Sequence, residues 1–151
     1  MAAMKRASPR LRDFAERLVS LGVAEATSLA AKPPALFTVI EKLRPSFVQV
    51  VGALGFSAVL SRALAIAHVD VAWLRAVHVK PDGHWGNFDD PTLTVGANEI
   101  FDGRVVLLAE FVSLLVDLIG ERLVLQLVHQ AMPAVAKDDL YFEKGSEREK
   151  S

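Results

Sequence analysis

Charged side chains within two long apolar stretches are the residues of this sequence best placed to form a functional site. Arg62 lies in the stretch from Pro45 to Val69, whereas Glu110 and Asp117 lie in the stretch from Val105 to Val128. An ionised group left alone in a protein core is costly, so each of these groups must pair or reach water. We therefore predict a contact between Arg62 and either Asp117 or Glu110.

The simplest interpretation is a structural ion pair that fixes the register of the two helices. Two further interpretations stay open. Arg62, Trp73, Glu110 and Asp117 could line a small pocket or a partner-binding groove, in which a buried ion pair would have perturbed ionisation. Alternatively, the charged groups are simply exposed on the surface. We take the four residues as the candidate binding site.

Metal, nucleotide and catalytic chemistry find little support in the sequence. The spacing of the four histidines matches no compact metal signature, and the chain contains no cysteine. The acids between Asp82 and Asp90 do not fall at the ligand positions of an EF-hand. The glycines at 52 and 55 lack the spacing of phosphate-binding loops. We predict no metal, no cofactor and no catalytic residue, and hence a protein that is not an enzyme.

Composition and charge limit the classes of protein to which this chain can belong. With 52% hydrophobic and 23% charged residues, a chain of 151 residues can form one folded core. A net charge of -1 gives no electrostatic footprint for nucleic acid. The acids of the segment 81–103 and the bases of residues 1–44 are segregated, so they could contact each other within one fold or each face a partner of opposite charge; we favour the first because it needs no partner. The cysteine-free composition fits a cytoplasmic location.

The stretch from Val105 to Val128 could belong in lipid or in a protein interior. Its seventeen apolar residues are opposed by Glu110, Asp117, Glu121 and Arg122, and four charges about cancel the insertion free energy of the apolar residues. Glu110, Ser113, Asp117 and Glu121 also share one stripe of a helix. A membrane role is therefore possible but not favoured, and we interpret both apolar stretches as buried helices of a water-soluble domain.

Helical spacing predicts a mainly α fold, a single-domain helical bundle at residues 1–142 around two long apolar helices. A first helix begins at Pro9, buries Leu11, Phe14, Ala15, Leu18 and Val19, and stops at Gly22. A short helix ends at Arg44, before the long apolar helix from Pro45, and close helix crossing is expected near Gly52 and Gly55. A small β-hairpin is possible near residues 74–88. Residues 143–151 form a charged, flexible tail.

Most of residues 43–128 resembles a recurring family of uncharacterised bacterial helical proteins. The resemblance rests on two runs, LRPSFVQVVGALGFSAVLSRALAIAHVDVAWLRAVHVKPDG and GRVVLLAEFVSLLVDLIGERLVLQLV. It implies a bacterial and cytoplasmic source, and it implies nothing about activity. No functional residue is carried over from it.

The apolar excess is the main indication of function. Two helices that are apolar nearly all round need more cover than short amphipathic segments supply, and an oligomer interface would provide it. We predict a non-enzymatic interaction, adaptor or regulatory module that forms a homo-oligomer or binds another protein. The alternatives are a membrane-active helical bundle and a carrier of a small apolar ligand held between the long helices.

Overall fold

Four α-helices make up most of the described chain. The computed structural model describes residues 9–25, 37–81, 85–86 and 95–132. The helices are α1 (Pro9–Glu25), α2 (Thr38–Asp70), α3 (Ala97–Ile119) and α4 (Glu121–Ala131), with a 3-10 helix at Ala72–Ala76 after α2. The predicted mainly α fold is confirmed.

Helix α3 occupies the centre of the fold. The nine consecutive residues 105–113 are all buried, so every side of the helix is covered over more than two turns. Each of the other three α-helices packs against it. The interpretation of this apolar stretch as the interior of a protein is therefore confirmed for its central part.

Helix α1 follows its amphipathic pattern. It begins at Pro9, as predicted, and the five residues expected in the core are buried: Leu11, Phe14, Ala15, Leu18 and Val19. The predicted stop at Gly22 is wrong, because the helix runs on to Glu25. A single glycine costs a helix about 1 kcal/mol relative to alanine, which is too little to end it.

Two exposed glycines interrupt the apolar stretches that were predicted to form continuous helices. Gly120 separates α3 from α4 with φ 93° and ψ 152°, and Gly52 breaks α2 internally with φ 81° and ψ 164°. Both conformations lie in a backbone region that is essentially restricted to glycine. The prediction of two unbroken long helices is therefore wrong. We refer to residues 38–51 as α2N and to residues 53–70 as α2C.

The break at Gly52 changes which side of α2 faces the core. Phe47 and Phe56 are nine residues apart, which in an unbroken helix of about 100° per residue puts them on opposite sides. Both rings nevertheless pack edge-on against Phe111 of α3, at centroid distances of 6.4 Å and 5.3 Å, and both are fully buried. The glycine thus turns α2C by about half a turn relative to α2N.

Pro45 lies inside α2 rather than at its start, so the predicted helix end at Arg44 is wrong. Leu43 and Phe47, one turn apart on the two sides of the proline, are both fully buried. Their shared burial keeps the helix continuous although proline supplies no backbone N–H.

Close approach to a glycine occurs at Gly103, not at Gly52 or Gly55 as predicted. A Cβ built on Gly52 would meet no atom within 4 Å, and one on Gly55 would meet only Val51 of the same helix. A Cβ on Gly103 would lie 2.6 Å from Cε2 and 2.7 Å from Nε1 of Trp73. Gly103 therefore provides the space for that indole ring.

The segment after α2 contains an isolated antiparallel bridge between Val79 and Trp85. The Gly86 N–H donates to the His78 carbonyl at 2.8 Å, and the Ser57 hydroxyl donates to the Lys80 carbonyl at 2.8 Å. Among the described residues there is no strand, so the hairpin near 74–88 is reduced to this bridge. Residues 82–84 and 87–94 and the predicted tail lie outside the described residues.

Candidate interaction surface

The four residues of the predicted site occupy different environments. Glu110 is 5% exposed, whereas Asp117 and Arg62 are exposed and Trp73 is half-buried. Glu110 and Asp117 each have an interaction within the chain, but no hydrogen bond or ion pair between described residues joins either one to Arg62. The predicted Arg62 ion pair is therefore not formed.

The half-turn at Gly52 accounts for the position of Arg62. Leu43 and Phe47 lie on the buried side of α2N. If α2 were unbroken, residues 54, 58, 61 and 65 would lie on the same side, and Arg62 would be next to the core. The break instead brings Phe56 and Leu60 to the core side. Arg62 consequently reaches water and needs no partner from α3.

Trp73 is held in place by three neighbours. Its Nε1 donates to the Glu99 carbonyl at 3.0 Å, and its ring stacks on Phe37 at a centroid distance of 6.1 Å. The third neighbour is Gly103, against which the indole lies directly. Trp73 therefore joins the end of α2 to the start of α3.

Trp73 is one of the residues that line an acidic cleft, whereas Arg62, Glu110 and Asp117 are not. The cleft has a volume of about 580 Å³ and its lining includes Asp70, Glu99 and Asp102, the last two of which belong to the segment 81–103 that the sequence marked as acidic. These carboxylates lie at the exposed surface. No group of three or more metal-ligating side chains is found among the described residues.

A network of hydrogen bonds that was not predicted from the sequence joins the Val79–Trp85 bridge to α2N. Trp85 Nε1 donates to Glu41 Oε2 at 2.5 Å, and Arg44 donates to both carboxylate oxygens of Glu41, at 3.1 Å and 2.6 Å. The Arg44 guanidinium also lies 4.8 Å from the centre of the Phe56 ring. The spacing of Glu41 and Arg44, three apart on one helix, was the available signal.

Among the described residues, the outward side of α2C is an exposed and largely apolar surface. Five of its residues recur at helical spacing and are exposed: Leu54, Ala58, Ser61, Ala65 and Val69. We call them the outward face. Leu54 is 74% exposed and Val69 is 49% exposed, while the opposite side of the same helix is buried through Phe56, Leu60 and Leu64. Thus α2C is apolar on two sides, and the core covers one.

Helix α2 is also long and apolar enough to cross a membrane, by length and composition alone. The candidate span covers Val39–Asp70, and 39% of its most apolar window is buried. Among the described residues no other helix meets this criterion. The stretch in α3 that raised the membrane question from sequence is buried in its central part, at residues 105–113, whereas the earlier apolar stretch reaches the surface along α2C.

No protein-family model, curated protein or solved structure matches this chain. The resemblance to a bacterial family therefore stays a prediction.

Arg104, like Glu110, is a charged residue of α3 whose side chain is at least partly buried. Its Nε is buried and has no hydrogen-bond partner, and burial lowers the pKa of its guanidinium below its usual range. A lowered folded-state pKa means that the unfolded chain binds the proton more tightly. Stability would rise only in strongly alkaline solution, as the pH increases from the lowered pKa to that of the unfolded chain, so at neutral pH the full desolvation cost is present.

Arg104→Met is accordingly expected to raise the free energy of unfolding by up to about 1 kcal/mol, because water still screens a side chain that is only partly buried. Methionine keeps most of the aliphatic stem and removes the charge. Urea unfolding at pH 7 measures the change, with Arg12→Met on the exposed side of α1 as the control. A loss of stability at Arg104 alone would show that its guanidinium is stabilising.

Proposed function

We propose that this protein is a non-enzymatic interaction module that associates with itself through the outward face of α2C. The supporting observation is that this helix is apolar on two opposite sides, and only one side is used by the core of the chain. A surface helix of a monomeric soluble domain normally carries polar or charged residues on its solvent side. Within residues 54–69, Arg62 is the single Lys, Arg, Asp or Glu.

Size and continuity distinguish this face from ordinary surface hydrophobics. Single exposed apolar residues are common and need no explanation. Here the five residues of the outward face follow one side of a helix of 18 residues, which is about 27 Å long. From Leu54 to Val69 the face spans about 22 Å, with Ser61 as its one polar residue, and a strip of this kind is a surface that an oligomer buries.

A lipid surface is the second possible occupant, because α2 meets the length and composition criterion for a membrane span. The break at Gly52 argues against a spanning helix. Non-helical backbone at membrane depth is tolerated where protein covers it, whereas Gly52, Ala53 and Leu54 are all exposed. Arg62 in the middle of α2C adds a further cost of about 2.5–3.5 kcal/mol near the centre of a bilayer.

Leu54→Lys is expected to weaken self-association by about tenfold or more, because it places a charge on the most exposed apolar side chain of the outward face. Sedimentation velocity over a protein concentration series from about 1 to 500 µM measures the change. Folding should be unaffected, since Leu54 is 74% exposed. Circular dichroism and the thermal midpoint at low concentration confirm that.

Leu118→Lys is the matched control, because Leu118 is 58% exposed but belongs to α3. It should leave association at the wild-type level. A wild-type chain that is monomeric at every concentration would overturn the proposal. Equal weakening by both substitutions would also contradict it. Binding of the wild-type monomer to anionic vesicles, lost in the Leu54 variant, would assign the face to lipid.

A further inference from the structure

The two halves of helix α2 are joined at an exposed point. A Cβ built on Gly52 would meet no atom within 4 Å, and Gly52, Ala53 and Leu54 are all exposed. Glycine adopts positive φ about as readily as negative φ, so the residue itself permits more than one angle between the halves. Contacts elsewhere in the chain must therefore fix the direction and rotation of α2C relative to α2N.

Burial alone fixes the rotation of α2C weakly, because this helix is apolar on two opposite sides. Phe56, Leu60 and Leu64 face the core, and the outward face carries Ser61 as its one polar residue. A half-turn about Gly52 would replace one apolar side by the other in the core. The larger side chains favour the observed rotation, and contacts that span the break add to that preference.

One contact joins the two halves of α2 directly. The Arg44 guanidinium lies 4.8 Å from the centre of the Phe56 ring, although the two residues are twelve positions apart in the sequence. In a straight helix they would be about 18 Å apart along the axis, which is too far for these two side chains to meet. The contact between Arg44 and Phe56 therefore forms only when α2 is broken at Gly52.

The segment after the 3-10 helix is tied together by backbone contacts of its own. We call its described residues 77–81 and 85–86 the brace. The antiparallel bridge between Val79 and Trp85 joins its two parts, and the Gly86 N–H donates to the His78 carbonyl at 2.8 Å. Trp85 is only 9% exposed, so this end of the brace is anchored in the protein.

The brace is attached to both halves of α2. On α2C, the buried Ser57 hydroxyl donates to the Lys80 carbonyl at 2.8 Å. On α2N, Glu41 accepts a hydrogen bond from Trp85 Nε1 at 2.5 Å. The Trp85 ring also stacks on Phe37, directly before α2N, at a centroid distance of 4.5 Å. A second connection across the break therefore runs through the brace.

We propose that the brace holds α2C in its observed rotation relative to α2N, with the Glu41 carboxylate as the shared acceptor. Glu41 accepts the hydrogen bond from Trp85 and two more from Arg44, and Arg44 in turn contacts Phe56. Both connections across the break thus meet at one side chain. Loss of the Glu41 contacts releases α2C to turn about Gly52, so the brace determines which side of α2C faces solvent.

This inference goes beyond the proposed function, because it concerns the conformation of the chain itself. It holds whatever binds the outward face, and it holds equally for a monomer. Where the outward face is the binding surface, the brace controls whether that face is available.

Thiol labelling measures the rotation of α2C in a chain that contains no cysteine. Ala63→Cys places a thiol on the core side of α2C, and Ala109→Cys places one in the centre of α3, where the two alanines are 0% and 1% exposed. A half-turn of α2C moves residue 63 to the solvent side, whereas residue 109 is exposed only when the fold loosens as a whole. The ratio of the two labelling rates therefore separates rotation from general destabilisation.

Glu41→Ala is expected to raise the labelling rate at position 63 at least about tenfold relative to position 109, because it removes charge-assisted hydrogen bonds from one conformation only. Trp85→Phe is the milder second variant, since it loses the hydrogen bond to Glu41 and keeps a ring that can stack on Phe37. It should act in the same direction. Leu11→Ala is the control, because it opens a cavity beside α1 and should accelerate both positions by a similar factor.

Each remaining outcome counts against the proposal. Equal acceleration at positions 63 and 109 in the Glu41 and Trp85 variants would show that these contacts only add stability. Unchanged rates in both variants would show that the brace does not control the rotation. If circular dichroism finds Glu41→Ala unfolded, Trp85→Phe decides alone. A monomer in sedimentation would reject the proposed function and leave this test unaffected.

Discussion

Gly103→Ala is expected to lower the free energy of unfolding by roughly 2 kcal/mol. The added methyl group would enter the space of the Trp73 indole, with 2.6 Å to Cε2 and 2.7 Å to Nε1, and overpacking of this kind costs about 1–3 kcal/mol. Alanine returns about 1 kcal/mol through its higher helix propensity. The overpacking cost falls near the upper end of its range because the indole cannot easily move, which leaves a net loss of roughly 2 kcal/mol.

Two contacts hold the indole of Trp73 in place. One is the hydrogen bond to the Glu99 carbonyl, and the other is the stack on Phe37. Moving the ring away from Gly103 would break or lengthen the first and disturb the second. The substitution therefore loosens the junction between α2 and α3 as a whole, beyond adding a local clash.

Equilibrium urea unfolding of a double-mutant cycle checks this prediction. In a Trp73→Ala background, Gly103→Ala should no longer destabilise the protein and should stabilise it by up to about 1 kcal/mol through helix propensity, because the clashing ring is gone. Gly86→Ala is the matched control, since its Cβ would have no contact shorter than 3.5 Å. Equal losses for Gly103→Ala with and without the tryptophan would show that the ring is not the cause.

Gly52→Ala is expected to cost about 2 kcal/mol of stability through backbone strain. The residue has φ 81° and ψ 164°, a conformation that residues with a Cβ adopt at a cost of about 1–3 kcal/mol. Space is not the cause, because a Cβ there would meet nothing within 4 Å. The same urea unfolding measurement applies, again with Gly86→Ala as control.

The alternative response to strain at Gly52 is a straight helix, and it has a distinct signature. Straightening would turn α2C by about half a turn, so Phe56 would leave Phe111 while Phe47 kept its contact. Nuclear Overhauser effects between the ring protons distinguish these two contacts. A variant as stable as the wild type, with both ring contacts retained, would show that the break does not depend on glycine.

The sequence alone predicts the parts of the fold in which periodicity is unambiguous. In α1 the apolar residues recur on one side, and all five predicted core positions are buried. In α3 the apolar run between Val105 and Ser113 is uninterrupted except for Glu110, which is typical of a helix covered on all sides. Both predictions follow directly from the 3.6-residue repeat.

The turn at Gly52 could not be predicted in the same way. A helix with apolar residues on two sides has no single periodic phase, so a half-turn within it leaves no gap in the pattern. The prediction of an Arg62 ion pair failed for this reason, because it assumed an unbroken helix. The phenylalanines were a usable clue, since two large rings nine residues apart cannot share one side of a straight helix.

The polar stripe on α3 was predicted only in part, because its residues differ in depth. Glu110 and Ser113 are buried, whereas Asp117 is exposed near the end of the helix. Gly120 separates the two helices, so Glu121 lies at the start of α4 and not on α3. Sequence spacing gives the angular position of a residue around a helix, but it does not give the depth to which that part of the helix is covered.

The half-turn at Gly52 also separates two kinds of evolutionary constraint within one helix. Substitutions at Phe56, Leu60 or Leu64 alter the packing that keeps the chain folded, whereas changes at Ala58 or Ala65 leave that packing intact. If the outward face binds a second copy, as proposed, recognition could therefore diverge among descendants of this chain while the scaffold stays the same. Selection for binding specificity would then act on the outward face of α2C, and selection for stability would act on its buried side.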